Sequence, residues 1–185
     1  VNTLTISPLQ SPNLQSPISR PHLPLPLSGH NTDHSGFLAD LQAHNIPIAG
    51  RRCLVLGAGG SARAVVYALA RSDAGSITIF ARRPTQAEAL VAALQPHTGH
   101  RPLRAAPWQA LPETKMGPAP LIVNTTPLGM HPRHEHSPWP QDLPFPPAAE
   151  VYDLVYNPSE TRLMQQARAA GCRALNGLGM LLHQG

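Results

Sequence analysis

The sequence predicts an α/β fold built on a doubly wound parallel sheet, and three observations carry that expectation. From residue 33 onward, short apolar runs of strand type alternate with helix-forming stretches. The first of those runs ends in GAGGSA, which places glycines between a strand and a helix. The apolar runs are short and almost free of polar residues, as strands are when helices cover both faces of a sheet. Strand–helix alternation of this kind implies parallel pairing through right-handed crossovers.

The four residues VNTL suit the end of a strand. The stretch from 5 to 28 holds six prolines and no sustained period. Proline fixes φ and removes a donor, so an extended loop or linker is expected there. Asp33 then precedes Phe37, Leu38 and Leu41, apolar residues spaced for one helical face. RRCLVLGAGG reads as a buried strand closing in glycines. SARAVVYALARS follows as a helix with Ala62, Val65, Val66 and Leu69 on one side. SITIF (76–80) is rich in strand formers and TQAEALVAAL (85–94) in helix formers. A Pro-rich connection leads to the strand LIVNTT (121–126), and PLGMHPRHEHSPWPQDLPFPPAAE is a long loop. VYDLVY (151–156) is a further strand, and ETRLMQQARAAG a helix stopped by Gly171.

Composition narrows the function classes. No apolar run approaches the length of a membrane span, and the first thirty residues, which lack a charged start followed by an apolar block, are not expected to be a signal peptide. Cys53 and Cys172 stand far apart in apolar contexts, as buried free thiols of a reducing, cytoplasmic compartment do. The sequence pI is about 9.7. Its basic residues nevertheless form no stripe and are not interleaved with aromatics, so a nucleic-acid partner is not expected. A modest positive charge fits attraction of a phosphorylated small molecule better. The imidazoles of HPRHEH (131–136) lie among prolines without matching cysteines or carboxylates, and no metal site is expected from them.

Two features carry chemistry. In GAGGSA, Gly57 permits a tight turn, Gly59 lets backbone approach a pyrophosphate, and Ala62 stands in the third-glycine position of the dinucleotide fingerprint. Ala58, Gly60 and Ser61 complete the turn, and free N–H groups at the helix start would face the phosphates. A tight β-to-α turn that binds nothing has the same sequence. At the end of the second strand, an NAD site usually carries an acid for the ribose 2′-hydroxyl. Here Ala81, Arg82 and Arg83 stand instead. Two guanidiniums suit a 2′-phosphate, so NADP(H) is the expected cofactor, although two solvated surface arginines would look alike. Asp33 is equally two-sided, being either a helix cap or a catalytic carboxylate at a helix entrance.

Together, VNTL, GHNTDHSGF, LGAGGSARA, ITIFARRP, VNTTPLGM, YDLVYNPSETRLMQQA and NGLGMLLHQG resemble the shikimate dehydrogenase family in order and spacing. That resemblance implies a Rossmann-like NADP-binding domain over residues 33–185. Residues 1–32 would then be a remnant of the substrate-binding domain plus the Pro-rich linker, with both ends of the chain cut. It further implies NADP-dependent reduction of 3-dehydroshikimate to shikimate, a step toward chorismate and the aromatic amino acids, by a monomer or homodimer. Asp33 matches the family's catalytic and substrate-binding carboxylate, and Asn2, Tyr156 and Gln184 match further substrate contacts. Thr126, Leu154, Gly177 and Met180 match positions about the cofactor, although plain core packing explains Leu154 and Met180 as well. Where the family reads Asn-Arg-Thr, this chain has Ala81, Arg82 and Arg83. The lysine that works with the aspartate in the family has no counterpart, because Lys115 lies on the wrong segment. Binding of NADP(H) with little or no turnover is therefore expected. The rival reading is a non-catalytic NADP(H)-binding module acting through a partner.

Overall fold

The computed structural model describes residues 3–6, 27–99 and 102–184. The chain divides into two units between Thr32 and Asp33. In the first, strands β1 (Thr3–Ile6) and β2 (Leu27–His30) pair antiparallel, with Thr3 opposite His30. Both ends of the stretch expected to be linker thus join a sheet. The stretch 7–26 and Asn2 lie outside the described residues.

The second unit begins with α1 (Asp33–Ala43), β3 (Arg52–Leu56), α2 (Gly60–Arg71), β4 (Ser76–Ala81) and α3 (Pro84–Leu94). It continues through β5 (Leu103–Pro107), β6 (Leu121–Asn124), β7 (Glu150–Asp153), α4 (Arg162–Ala169), β8 (Arg173–Asn176) and α5 (Leu178–Leu182). β3 to β8 form one parallel sheet in the order β5-β4-β3-β6-β7-β8. β5 and β8 occupy its two edges. β5 lies inside the stretch expected to be a mere connection.

Two strands end earlier than their sequence suggests, and for the same reason. After Asn124 the side-chain Oδ1 accepts the N–H of Thr126 at 2.9 Å, and after Asp153 the carboxylate accepts that of Val155 at 3.0 Å. An Asn or Asp side chain that satisfies the backbone two residues on turns the chain out of the ladder. The expected strands 121–126 and 151–156 therefore stop at residues 124 and 153.

The sheet is covered on both faces. In β3, Cys53 and Val55 join the core under α1, α2, α3 and α5 with Phe37, Val65, Leu69 and Leu90. Leu54 and Leu56 join the opposite core with Leu163 and Met164 of α4. Period-two alternation on a sheet buried from both sides gives the uniformly apolar run read in the sequence. No helix spans the crossover from β6 to β7. Trp139, from the loop there, is buried in the α4-side core and stacks on Phe145 with ring centroids 4.7 Å apart. Its indole N–H donates to the Leu143 carbonyl at 2.8 Å. One anchored aromatic thus does the covering that a helix would do.

At the N-terminal edge of the sheet, the Arg51 guanidinium pairs with Glu150 and donates to the carbonyls of Ala119 and Pro120. Arg173 reaches the same carboxylate at 3.3 Å. Lys115 lies at this end too, its carbonyl accepting from Arg52. Both cysteines are free, and burial pushes the Cys53 thiol up to about 12.

Candidate functional site

In a doubly wound sheet the chain leaves to opposite sides where the strand order reverses, and this opens a crevice at the C-terminal strand ends. Here the reversal falls between β3 and β6. A cavity of about 510 Å³ lies there, bounded by Gly57–Gly59, Arg82, Arg83, Thr125–Leu128 and Arg133.

The turn after β3 is shaped by glycine. Gly57 has φ +112°, and a Cβ there would come within 2.6 Å of Thr125 Oγ1. Its N–H donates to the Phe80 carbonyl, and the Thr125 hydroxyl and N–H both donate to the Leu56 carbonyl at 2.8 Å. The ends of β4, β3 and β6 are thereby tied together. Gly59 is extended and caps α2 without a side-chain hydrogen bond. A Cβ on Gly59 or Gly60 would meet nothing within 4 Å, so the approach to the helix N-terminus is open. Ala62 is buried against the sheet, where a small side chain is required.

Arg82 and Arg83 follow β4, exposed, with no side-chain hydrogen bond or ion pair among the described residues. Among the described residues, no carboxylate lines the cavity. Ala81 does not reach it, being buried at the strand end opposite Pro107. Gly60 and Ser61 belong to the open helix start just beyond its lining. Trp108, Gln86 and Ser137 also line the cavity, and only their placement in three dimensions marks them.

Thr126 and Leu154 leave the adjacent ends of β6 and β7, held by a buried network. Asp153 is fully buried; its Oδ1 accepts from Asn124 Nδ2 at 2.8 Å and its Oδ2 from the Thr161 hydroxyl at 2.6 Å. Asn124 Oδ1 in turn accepts from the Thr126 hydroxyl at 2.7 Å, and Thr161 caps α4 through the Met164 N–H. Burial pushes the Asp153 carboxyl up to about 6, although three donors oppose the shift. An acid whose folded pKa exceeds its unfolded value binds protons more tightly when native, so its contribution weakens as pH rises between the two values. Stability should thus decline from pH about 4 to about 6 through this group and level off above. Urea unfolding across that range should show the decline, and Asp153→Asn should remove it. An unchanged slope in the variant would exclude Asp153 as its source.

The remaining sequence-derived candidates gather around α5. The Gly177 Cα lies against Leu154, whose carbonyl oxygen would be 2.3 Å from an added Cβ. Met180 is core, packed over α1, with its carbonyl against Gly36. Gln184 also lies against Gly36, one helical turn from half-buried Asp33. Tyr156 is 47% exposed. α5 is seated by Asp40, which is buried and accepts from the Tyr152 hydroxyl at 2.5 Å. Gly179 lies directly on that carboxylate. Asp40 and Asp153 escape sequence reading because a buried acid inside a helix or strand gives no periodic signal, and Thr161, the N-cap of α4, because a cap's second partner across the fold leaves no local mark.

The strand order and the glycine turn at the reversal define a Rossmann-type α/β domain. No protein-family model matches the chain. It is 46% identical over 159 residues to the NADP(+) shikimate dehydrogenase of Moorella thermoacetica, covering 86% of this chain and 54% of that one. Among solved structures, it superposes on shikimate 5-dehydrogenase from Listeria monocytogenes in complex with shikimate and NAD. That match has a TM-score of 0.76 and 31% identity, with 85% of this chain and 56% of that one covered. Quinate dehydrogenase from Corynebacterium glutamicum in complex with NAD gives a TM-score of 0.77 at 30% identity, over 85% and 55% of the two chains. The chain belongs to the shikimate dehydrogenase family, and it spans about half the length of the relatives it matches.

Proposed function

We propose that this chain supplies the NADP(H)-binding part of a cytoplasmic dehydrogenase acting on shikimate and 3-dehydroshikimate. The observation that carries the reading is the cavity at the switch point, which combines an open helix N-terminus with unpaired Arg82 and Arg83 and no lining carboxylate. Those residues fit the group. Gly57, Ala58 and Gly59 would bring backbone to the diphosphate, with Gly60, Ser61 and Ala62 presenting the N-terminus of α2. Arg82 and Arg83 would hold the 2′-phosphate. Ala81 sets the end of β4 from which they project. Thr126, Leu154, Gly177 and Met180 shape the nicotinamide end, fixed there by the Asp153 network and by the seat of α5.

When bound, the dinucleotide supplies a hydride donor or acceptor. For the substrate, Asp33, Tyr156 and Gln184 would be polar groups for hydroxyl binding, with Asp33 the proton-handling carboxylate. Lys115 lies at the N-terminal ends of the strands, where its carbonyl accepts from Arg52, so it does not stand in for the family's catalytic lysine. Binding of NADP(H) by this chain, with little turnover, is the expected behaviour.

Calorimetric titration tests the reading directly. The purified chain should bind NADP+ at micromolar concentration and bind NAD+ more weakly. A cooperatively melting sample that takes up neither nucleotide would refute it.

A further inference from the structure

The geometry points to Arg133 as a third phosphate-binding cation, engaging the diphosphate of the dinucleotide from the side opposite the α2 N-terminus. The inference rests on the cofactor reading above. Arg133 belongs to HPRHEH, a stretch whose sequence reads as plain loop, yet it lines the same cavity as Arg82 and Arg83. It is exposed, and its side chain has no hydrogen-bond or ion-pair partner among the described residues.

Its backbone is fixed, however. The Arg133 N–H donates to the Met130 carbonyl at 2.7 Å, and its own carbonyl accepts from Gly129 and His136, each at 3.1 Å. Gly129 is in the left-handed region at φ +97°, and Trp139 anchors the loop beyond. A side chain projected from a held turn loses less freedom on binding than one on a slack loop.

The placement of charge selects the diphosphate. Arg82 and Arg83 enter from β4, the glycine turn lies at the end of β3, and Arg133 comes from the loop after β6 on the far side of that turn. A 2′-phosphate met by the first two leaves the diphosphate with no other cation than Arg133 among the residues lining the cavity. Gly60, Ser61 and Ala62 carry no charge, and Arg63 does not line the cavity. An uncompensated diphosphate in a cleft favours a guanidinium, whose paired donors match two phosphate oxygens.

Two probes separate the possibilities: NADP+, which carries both phosphate groups, and adenosine 2′-monophosphate, which lacks the diphosphate. Calorimetry on the full chain should show Arg133→Ala weakening NADP+ about tenfold, the scale of one charge-assisted hydrogen bond, with a shallower salt dependence. Adenosine 2′-monophosphate should bind the variant within about twofold of the parent, and Arg133→Lys should recover part of the NADP+ loss. Unchanged NADP+ affinity would remove Arg133 from the site. An equal loss on both probes would move it to the 2′-phosphate and overturn the assignment. Failure of the parent chain itself to bind NADP+ would instead defeat the cofactor reading. Melting curves of the variants should match the parent, because the side chain makes no folded-state bond.

Discussion

A chain carrying both Arg82→Ala and Arg83→Ala should bind NADP+ about 100-fold or more weakly than the parent, while its affinity for NAD+ changes by no more than about threefold. The asymmetry is the informative part. Hydrogen bonds to a charged group contribute about 1.5–3 kcal/mol each, and the two cofactors differ only in the group those bonds would reach. Both guanidiniums are exposed and have no side-chain partner among the described residues, so their removal should leave the melting temperature unchanged. Single variants would divide the effect: a loss confined to Arg82→Ala would make Arg83 a solvated bystander. Equal losses for NADP+ and NAD+ would show that the pair does not read the 2′-phosphate.

Gly177→Ala should cost about 3 kcal/mol or more in unfolding free energy, well above the usual range for adding one methyl group. The position does not need glycine for its torsions, since φ is −81°. It needs the missing Cβ. An added carbon would lie 2.3 Å from the Leu154 carbonyl oxygen and 2.7 Å from its carbon, both backbone atoms just beyond β7. Backbone seated by the Asp153 network cannot swing aside as a side-chain tip can. The strain must displace either α5 or the turn after β7, and both carry candidate site residues. Chemical denaturation would measure the loss. A variant within about 1 kcal/mol of the parent would show the turn to be pliant, against the packing argument.

The parts of the fold legible in the sequence are those buried on both sides. β3, β6 and β7 are central strands, and a strand covered above and below announces itself as an unbroken apolar run. Within the six-stranded sheet, the strands left unread, β5 and β8, are the two edges. LRAAP carries Arg104 and ends in proline, and RALN begins with an arginine and ends in asparagine. Half-exposed edges admit such residues and lose the signal. Five-residue α5 is too short to show a period. In the site, the glycine turn and the arginine pair are legible because they are local, each confined to a few consecutive residues. Arg133 is not, because its relation to that pair arises only when β4, β3 and β6 lie side by side. The Asp153 network is hidden for the same reason: its outermost members, Asn124 and Thr161, lie 37 positions apart in the chain.

The loop between β6 and β7 divides its labour at one point. Up to Ser137 it borders the cavity, and from Trp139 it closes the underside of the sheet. Insertions or deletions between Met130 and His136 would therefore alter the electrostatic character of the crevice without opening the core. Nucleotide preference in such a lineage can drift separately from thermal tolerance, because the two properties are written on neighbouring but mechanically distinct lengths of chain.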